Sequence, residues 1–339
     1  MKERYSRQTL FSPIGESGQA ELMEKHVILI GAGALGAGNA ETLVRAGVGR
    51  LTIIDRDYVE WSNLQRQQLY TETDARRRLP KAVAAQKHLT EVNSDVRIEA
   101  HVQDATPLET EPLIKDADVI IDATDNFEVR MMINDLAGKH SIPWIYGACV
   151  GSYGLSHTVL PGHTPCLNCL LSKVPLGGLT CDTAGIISPV VQRVVSHQSV
   201  EAMKILVGDW SSLRKTLVSF DLWKNEEATI DVTSLKDSSC PTCGKFPDFP
   251  YLDYNQQMKT AELCGRDAVQ IRPGQSRDYD LGIVEERLKH QSGTVERNPY
   301  LLSFTSRERR IVLFKDGRAL IHGTNDKTEA KAIYHRYFG

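Results

Sequence analysis

A glycine-rich turn between a buried strand and a helix constrains the fold of this chain more than any other feature. The apolar run Val27–Ile30 is followed by Gly31, Gly33 and Gly36 and then by an alanine-rich stretch. Glycines at this spacing let the backbone turn tightly and let phosphate groups approach the N–H groups at the start of a helix. The pattern predicts the first strand–turn–helix unit of a nucleotide-binding α/β domain.

Apolar strands continue to alternate with helical patterns further along the chain. The predicted strands are Leu51–Asp55, Val96–Ile98, Asp118–Asp122, Trp144–Tyr146, Leu217–Leu222 and Thr229–Val232. The predicted helices are Lys81–Val92, Phe127–His140 and Ser188–Leu206. This alternation predicts a Rossmann-like, mostly parallel sheet with helices on both faces.

A cluster of prolines from Pro241 to Pro250 marks a change in composition. We therefore predict one domain over residues 1–249 and a small α+β domain over residues 250–339. The second has its own pattern: strand Ala268–Ile271, helix Tyr279–His290, strand Tyr300–Thr305, a hairpin turning on Asp316 and Gly317, and helix Lys327–Tyr337. Its residues predict no role, because Cys264 lacks the spacing of a sulfurtransferase loop.

Composition excludes several classes of protein. The 339 residues carry 40 Lys+Arg and 43 Asp+Glu, a net charge of −3, which disfavours a nucleic-acid partner. No apolar run is long enough to span a membrane, and the charged start Met1–Tyr5 predicts no secretory signal. We expect a cytoplasmic protein, whose seven cysteines then require a metal, a reaction or burial.

Asp55 ends the second predicted strand about twenty residues after the glycine turn, the position of an acid that binds ribose hydroxyls. An NAD-dependent dehydrogenase would use the same two features. Other residues favour a triphosphate over a dinucleotide as the ligand, because Arg66, Lys81 and the early Arg7 are cations that a triphosphate needs. Asp57 or Asp125 would supply a carboxylate for Mg²⁺.

Four of the cysteines form two C-x-x-C pairs about seventy residues apart, Cys166 with Cys169 and Cys240 with Cys243. Four thiolates make a closed tetrahedral site of the structural zinc type. The alternative is a pair of redox motifs, which is weaker because neither pair opens a helix after a strand.

Cys181 follows two glycines in a segment that we predict to be a loop. The residues alone leave two alternatives, a mobile nucleophile or a buried small side chain. Cys149 and Cys264 are predicted to be packing residues.

Five separated motifs together resemble the ubiquitin-activating-enzyme-like adenylyltransferases of the MoeB/ThiF/HesA family, over about residues 1–246. They are the glycine turn, Tyr5–Gln8, Asp57–Gln67, Pro80 with Lys81, and Asp122–Asn126. Ala34 is a departure, since the family usually has glycine there. The resemblance implies ATP-dependent adenylation of the C-terminal Gly-Gly carboxylate of a small ubiquitin-like sulfur carrier. That carrier would be the molybdopterin synthase small subunit MoaD or the thiazole-synthesis carrier ThiS.

The resemblance also implies roles for individual residues. Asp55 would hold the ribose, Asp125 would bind Mg²⁺, Arg7 would reach the ATP of the other subunit of a homodimer, and Cys181 would take part in thioester or acyl-disulfide chemistry. A sulfurtransferase or cysteine desulfurase would be a further partner. The full set of predicted nucleotide-binding residues is Gly31, Gly33, Gly36, Asp55, Asn63, Arg66, Gln67 and Lys81.

Several alternatives stay open at this point. A tRNA-modifying activator of the threonylcarbamoyl-adenosine dehydratase class has the same domain but would carry basic surface. A non-catalytic scaffold should have lost the cations at residues 7, 66 and 81. The motifs do not separate the molybdopterin branch from the thiazole branch.

Overall fold

The computed structural model describes residues 3–171, 185–253, 260–263, 268–272, 279–306 and 309–338. Its first sheet has eight strands: His26–Ile30 (β1), Arg50–Ile54 (β2), Arg97–His101 (β3), Val119–Asp122 (β4), Trp144–Val150 (β5), Tyr153–Val159 (β6), Thr216–Asp221 (β7) and Glu226–Asp231 (β8). Their order is β3-β2-β1-β4-β5-β6-β7-β8. The strands from β1 to β5 are parallel, and β6, β7 and β8 extend the sheet antiparallel.

Helices cover both faces of this sheet. They are Ser6–Thr9 (α1), Gly15–Leu22 (α2), Ala34–Ala46 (α3), Glu72–Arg77 (α4), Lys81–Val92 (α5), Pro107–Ile114 (α6), Phe127–His140 (α7), Leu167–Leu171 (α8) and Ser188–Leu206 (α9). Side chains alternate along β1, so Val27 and Leu29 pack with α3, α5 and α9 while Ile28 and Ile30 pack with α7 and α8. Two hydrophobic cores result, one on each face.

A second, antiparallel sheet follows. Its strands are Thr260–Leu263 (β9), Ala268–Ile271 (β10), Thr294–Arg297 (β11), Leu301–Thr305 (β12), Arg310–Phe314 (β13) and Ala319–His322 (β14), in the order β11-β12-β13-β14-β10-β9. Helices Leu281–Lys289 (α10) and Lys327–Phe338 (α11) pack on one face. We call the part of the chain built on the first sheet the N-terminal unit and the part built on the second the C-terminal unit.

The predicted fold class is confirmed, although the strand after Tyr146 differs from the prediction. β5 continues to Val150 and forms a hairpin with β6, which the sequence did not predict. Gly147 and Gly154 weaken the strand pattern, but both sit where a side chain would not fit. A Cβ atom at Gly147 would lie 2.3 Å from the Gln198 amide nitrogen, and one at Gly154 would lie 2.5 Å from the Phe220 ring.

The boundary at residues 249 and 250 stays a prediction. In the described part of the chain, no helix is long and apolar enough to cross a membrane.

Candidate nucleotide site and metal centre

The glycine turn lies at the carboxyl end of β1, where strand order reverses because β2 and β4 lie on opposite sides of β1. Ligands of open α/β sheets bind in the crevice at such a point. Gly31 has a φ of +96°, and a Cβ there would lie 2.6 Å from the Ala123 carbonyl oxygen. Gly33 is the N-cap residue of α3 and has no side chain. The first N–H groups of the helix therefore receive no hydrogen bond from a capping side chain and face the crevice. This end of α3 is suited to bind an anion.

Asp55 directly follows β2 and is fixed by two backbone N–H groups. Its Oδ2 accepts a hydrogen bond from Ala32 in the glycine turn at 2.6 Å, and its Oδ1 accepts one from Asp57 at 2.6 Å. Burial raises the pKa of Asp55, although Lys81 opposes that shift. Each oxygen keeps a second lone pair, so the carboxylate has acceptor capacity for ribose hydroxyls.

Lys81 brings a buried ammonium group to the same crevice. Only 4% of its side chain is exposed, and its Nζ donates to Asp57 Oδ2 at 3.2 Å. The Lys81 backbone N–H also donates to the Asp57 carbonyl at 2.8 Å. Because an ammonium has three donors and Asp57 takes one, the others are suited to phosphate oxygens.

Tyr70 was missed by the sequence analysis. Its buried hydroxyl donates to the Ala32 carbonyl at 2.6 Å and lies 3.3 Å from the Lys81 carbonyl. Tyr70 therefore connects the glycine turn to the start of α5. No local motif could have identified it, since the contact depends on the tertiary fold.

Asn63 and Gln67 are both buried near the turn. The Asn63 Oδ1 accepts a hydrogen bond from the Glu60 N–H at 3.0 Å. The NH₂ group of the Asn63 side chain takes no part in that hydrogen bond. The Gln67 Nε2 lies 3.9 Å from where a Cβ at Gly33 would be, and its Oε1 has no hydrogen-bond partner among the described residues. A buried acceptor without a donor indicates a place for a ligand N–H or O–H group.

Arg66 is half-buried, and its guanidinium donates to the Ser62 carbonyl at 2.9 Å. This bond holds it along the turn that carries Asn63. Among the described residues, no hydrogen bond or ion pair joins the Arg66 guanidinium to the Asp55 carboxylate.

Asp125 is exposed just beyond the carboxyl end of β4. Nearby Arg130, also missed by the sequence analysis, donates to the buried Asp122 carboxylate at 3.1 Å and lies over the Tyr146 ring. Burial would lower the pKa of Arg130, but Asp122, Tyr146 and Asp125 together raise it. An exposed carboxylate at this edge of the crevice fits a magnesium ligand.

Arg7 lies far from the glycine turn of its own chain. Its neighbour Gln8 donates to the carbonyl of Ala46, the last residue of α3, at 2.9 Å. The turn lies at the other end of that helix, about 18 Å away at 1.5 Å per residue. Arg7 is exposed there, so its own chain does not use it in the crevice.

The two predicted cysteine pairs come together in one cluster, with all four sulfur atoms within 4.8 Å of one another. Cys166 Sγ lies 3.9 Å from Cys169 Sγ and 3.5 Å from Cys240 Sγ, and Cys169 Sγ lies 3.5 Å from Cys243 Sγ. Zn–S bonds of about 2.3 Å require sulfur atoms about 3.8 Å apart at the corners of a tetrahedron. The cluster therefore has the dimensions of a tetrathiolate zinc site.

The backbone around the cluster also fits a metal. The Thr242 N–H points at Cys240 Sγ at 3.4 Å, and Gly244 follows where a Cβ would lie 2.4 Å from the Cys240 carbonyl oxygen. The hydrogen bond with Cys243 and burial raise the pKa of the Cys166 thiol, while the same bond lowers the pKa of Cys243 to about 5. Four thiolates at this spacing need a cation to neutralise them.

Among the described residues, one further cysteine lies outside this cluster. Cys149 lies on β5 and packs against the core that contains α3 and α9. Cys181 and Cys264 lie outside the described residues, so their predicted roles stay predictions.

A model of the ThiF family matches residues 5–242 of this sequence. The chain belongs to the ThiF family. It is 55% identical to a Bacillus subtilis protein named sulfur carrier protein ThiS adenylyltransferase, over 339 residues that cover all of both chains. An Escherichia coli protein of the same name is 36% identical over 242 residues, which cover 71% of this chain and 94% of that one. The predicted family is thus confirmed.

The solved structures confirm the fold of this ThiF-family chain. Escherichia coli MccB in complex with MccA-N7isoASN superposes with a TM-score of 0.62 at 20% identity, over 71% of this chain and 75% of that one. At that identity the likeness concerns the fold alone.

Proposed function

We propose that this ThiF-family chain adenylates the C-terminal Gly-Gly carboxylate of a small ubiquitin-like sulfur carrier, using ATP and releasing pyrophosphate. The observation that carries the proposal is the buried Lys81 ammonium beside the glycine turn. The bridging phosphates of a dinucleotide need little more than a helix N-terminus, whereas a triphosphate needs cations. The dehydrogenase and the tRNA-modifying activator are not favoured.

The carrier's terminal carboxylate oxygen forms a bond to the α-phosphorus, and the bond from that phosphorus to the pyrophosphate breaks. The carboxylate is already ionised at neutral pH, so no general base is needed. The chain's own residues position the reactants and neutralise charge: the start of α3 and Lys81 face the phosphates, and Asp55 faces the ribose. A magnesium ion on Asp125 would supply further neutralisation of the phosphates.

The name of the Bacillus relative favours ThiS as the carrier, because the two chains match over their whole length. MoaD is the second candidate, from the molybdopterin branch. Incubation with ATP and each carrier in turn, followed by intact-mass measurement of the adenylate, separates the two.

The function is tested with Lys81→Ala, for which Lys87→Ala is the matched control because Lys87 lies exposed on the same helix. We expect Lys81→Ala and Arg66→Ala to abolish carrier-dependent ATP–pyrophosphate exchange, with Lys87→Ala unchanged and all three folded by circular dichroism. Exchange at the wild-type rate in both Lys81→Ala and Arg66→Ala would refute the assignment.

We also propose a homodimer in which Arg7 reaches the ATP of the partner subunit. This proposal is supported by the exposed position of Arg7 at the far end of α3 from its own glycine turn. Mixing Arg7→Ala with Lys81→Ala tests it, since each mixed dimer would have one intact site. Half of the dimers would be mixed, so we expect about a quarter of the wild-type exchange rate. No recovery in a mixture shown to exchange subunits would contradict the shared site.

Cys181 is proposed to act after adenylation, in thioester or acyl-disulfide chemistry with a sulfur donor. Because a thiol is not needed to form the adenylate, Cys181→Ala should still produce it. Loss of the adenylate in a folded Cys181→Ala protein would contradict this order of events.

A further inference from the structure

The segment from Arg56 to Glu60 lies between the two units of the chain. Tyr58 forms an antiparallel bridge with Pro80, and the backbone of Glu60 is extended. Side chains in an extended segment alternate between its two sides. On one side, Asp57 pairs with Lys81, and Val59 is fully buried in the core of the N-terminal unit. On the other side, Tyr58 and Glu60 contact the C-terminal unit directly, and Arg56 reaches it through Asp104.

Tyr58 is the centre of this contact. It is 3% exposed and forms a hydrophobic cluster with residues of the second sheet: Ala268, Leu301, Val312, Phe314 and Leu320. Arg310 on β13 donates to the Tyr58 hydroxyl at 2.5 Å and to Glu60 Oε1 at 2.9 Å. Glu60 is joined to Asn63 in turn, because each accepts a hydrogen bond from the backbone N–H of the other.

Arg56 is held through Asp104, a carboxylate that the two units share. The Arg56 guanidinium donates to Asp104 Oδ1 at 3.0 Å. The other oxygen of Asp104 accepts from Gln270 at 2.6 Å and from Arg272 at 3.1 Å, both next to or on β10. The buried carboxylate thus joins the start of the extended segment to the second sheet.

The C-terminal unit also holds the segment that leads into Lys81. Asn298 donates to the carbonyls of Arg77 and Arg78 at 3.2 and 3.0 Å, and Arg78 forms an ion pair with Glu296 at 2.7 Å. This segment pairs with the extended one, since Val59 donates to the Leu79 carbonyl at 2.8 Å. The C-terminal unit therefore contacts both segments that carry the Asp57–Lys81 pair, the one at residues 56–60 and the one that leads into Lys81.

We propose that the C-terminal unit positions the nucleotide site, with Arg310 and Tyr58 as positioning residues that keep Asp57 and Lys81 in place for ATP. The inference rests on the proposed function only in that the ligand is ATP. It gives the last 90 or so residues a role that the sequence did not predict.

The test compares Arg310→Ala with Arg309→Ala in the full chain. The two arginines are neighbours with similar side-chain exposure, 29% and 26%, but Arg309 pairs with Glu329 inside the C-terminal unit. ATP binding is measured by calorimetry without any carrier. Because hydrogen bonds to charged groups contribute substantially to an equilibrium, we expect Arg310→Ala to weaken ATP binding about tenfold. Arg309→Ala should stay within about twofold of wild type.

Further measurements separate positioning from a general loss of structure. Arg310→Lys should restore most of the affinity, and Tyr58→Phe, which keeps the ring, should lose less affinity than Arg310→Ala. Hydrogen exchange should become faster at the amides of Asp57, Val59 and Lys81 in Arg310→Ala only. In pyrophosphate exchange, the KM for ATP should rise while kcat changes little.

Equal ATP affinity in Arg310→Ala and Arg309→Ala, with unchanged hydrogen exchange at the amides of Asp57, Val59 and Lys81, would overturn the inference. So would a loss of affinity that merely follows a fall in melting temperature and is not rescued by Arg310→Lys. A wild-type chain that binds ATP but supports no ATP–pyrophosphate exchange with any carrier would refute the proposed function and leave the inference standing. The comparison of ATP affinity between Arg310→Ala and Arg309→Ala would still test the inference in that case.

Discussion

Gly33 and Gly36 allow the packing role of the glycine turn to be separated from its binding role. Gly33 is the N-cap residue of α3 and Gly36 lies in the first turn of that helix, and replacing either with alanine adds one methyl group. The surroundings of that methyl group differ completely. We predict that Gly36→Ala destabilises the protein more than Gly33→Ala does, and that Gly33→Ala weakens ATP binding.

At Gly36 the added Cβ would lie 2.0 Å from the Gly31 carbonyl oxygen and 2.9 Å from its carbonyl carbon. Non-bonded heavy atoms prefer separations of about 3.5 Å or more, so α3 would have to move away from Gly31 by more than 1 Å. Overpacking typically costs about 1–3 kcal/mol, and a clash with backbone lies at the upper end. A loss of about 3 kcal/mol lowers the melting temperature of a domain of this size by roughly 6–12 °C.

At Gly33 the added Cβ would meet only the Gln67 amide nitrogen, at 3.9 Å. No neighbouring atom would block the methyl group, which would project where phosphate oxygens approach the N–H groups of α3. Losing one charge-assisted hydrogen bond of roughly 1.5–3 kcal/mol weakens ATP binding by about tenfold or more.

Both variants are examined by thermal unfolding without ligand and by calorimetric titration with ATP. A Gly33→Ala protein that binds ATP as tightly as wild type would refute the nucleotide site at this turn. A Gly36→Ala protein that unfolds at the wild-type temperature would refute the close contact between Gly36 in α3 and Gly31 after β1.

Other predictions concern the zinc site and the contact between the units. Cys243→Ser should remove bound zinc and lower the melting temperature, because metal binding contributes folding free energy, while Cys149→Ser should retain the zinc measured by mass spectrometry; equal zinc content would contradict the site. Burial would raise the pKa of Asp104, but Arg56 and other arginines outweigh it and hold that pKa well below its usual range. This stabilisation is complete above the unfolded-state pKa of about 3.9 and is lost progressively as pH falls from there through the lower folded-state pKa. Urea unfolding should therefore show the full destabilisation of Asp104→Asn at pH 7 and a destabilisation that shrinks steadily as pH is lowered below about 3.9. A difference independent of pH would contradict that ion cluster.

Local patterns predicted the parts of the site that depend on neighbours in sequence. The glycine turn and Asp55 each directly follow a buried strand, and parallel strands bring their carboxyl ends to one edge of the sheet. The four cysteines of the two C-x-x-C pairs also form one cluster, as predicted. Within each pair the short spacing already brings two sulfur atoms close together. Tyr70 and Arg130 could not be predicted, since each reaches the site through contacts made only in the folded protein.

The same limit explains why the polar residues after Asp55 looked like a single nucleotide-binding block. An extended segment has two sides, and sequence alone cannot show that Tyr58 and Glu60 face a second unit or that Arg56 pairs with a carboxylate bound to that unit. Asp57, which lies between Arg56 and Tyr58, is the residue that pairs with Lys81. The C-terminal unit therefore holds the segment that carries this ion pair. Its contacts with residues 56–60 should therefore change how tightly this chain binds ATP rather than whether the reaction occurs.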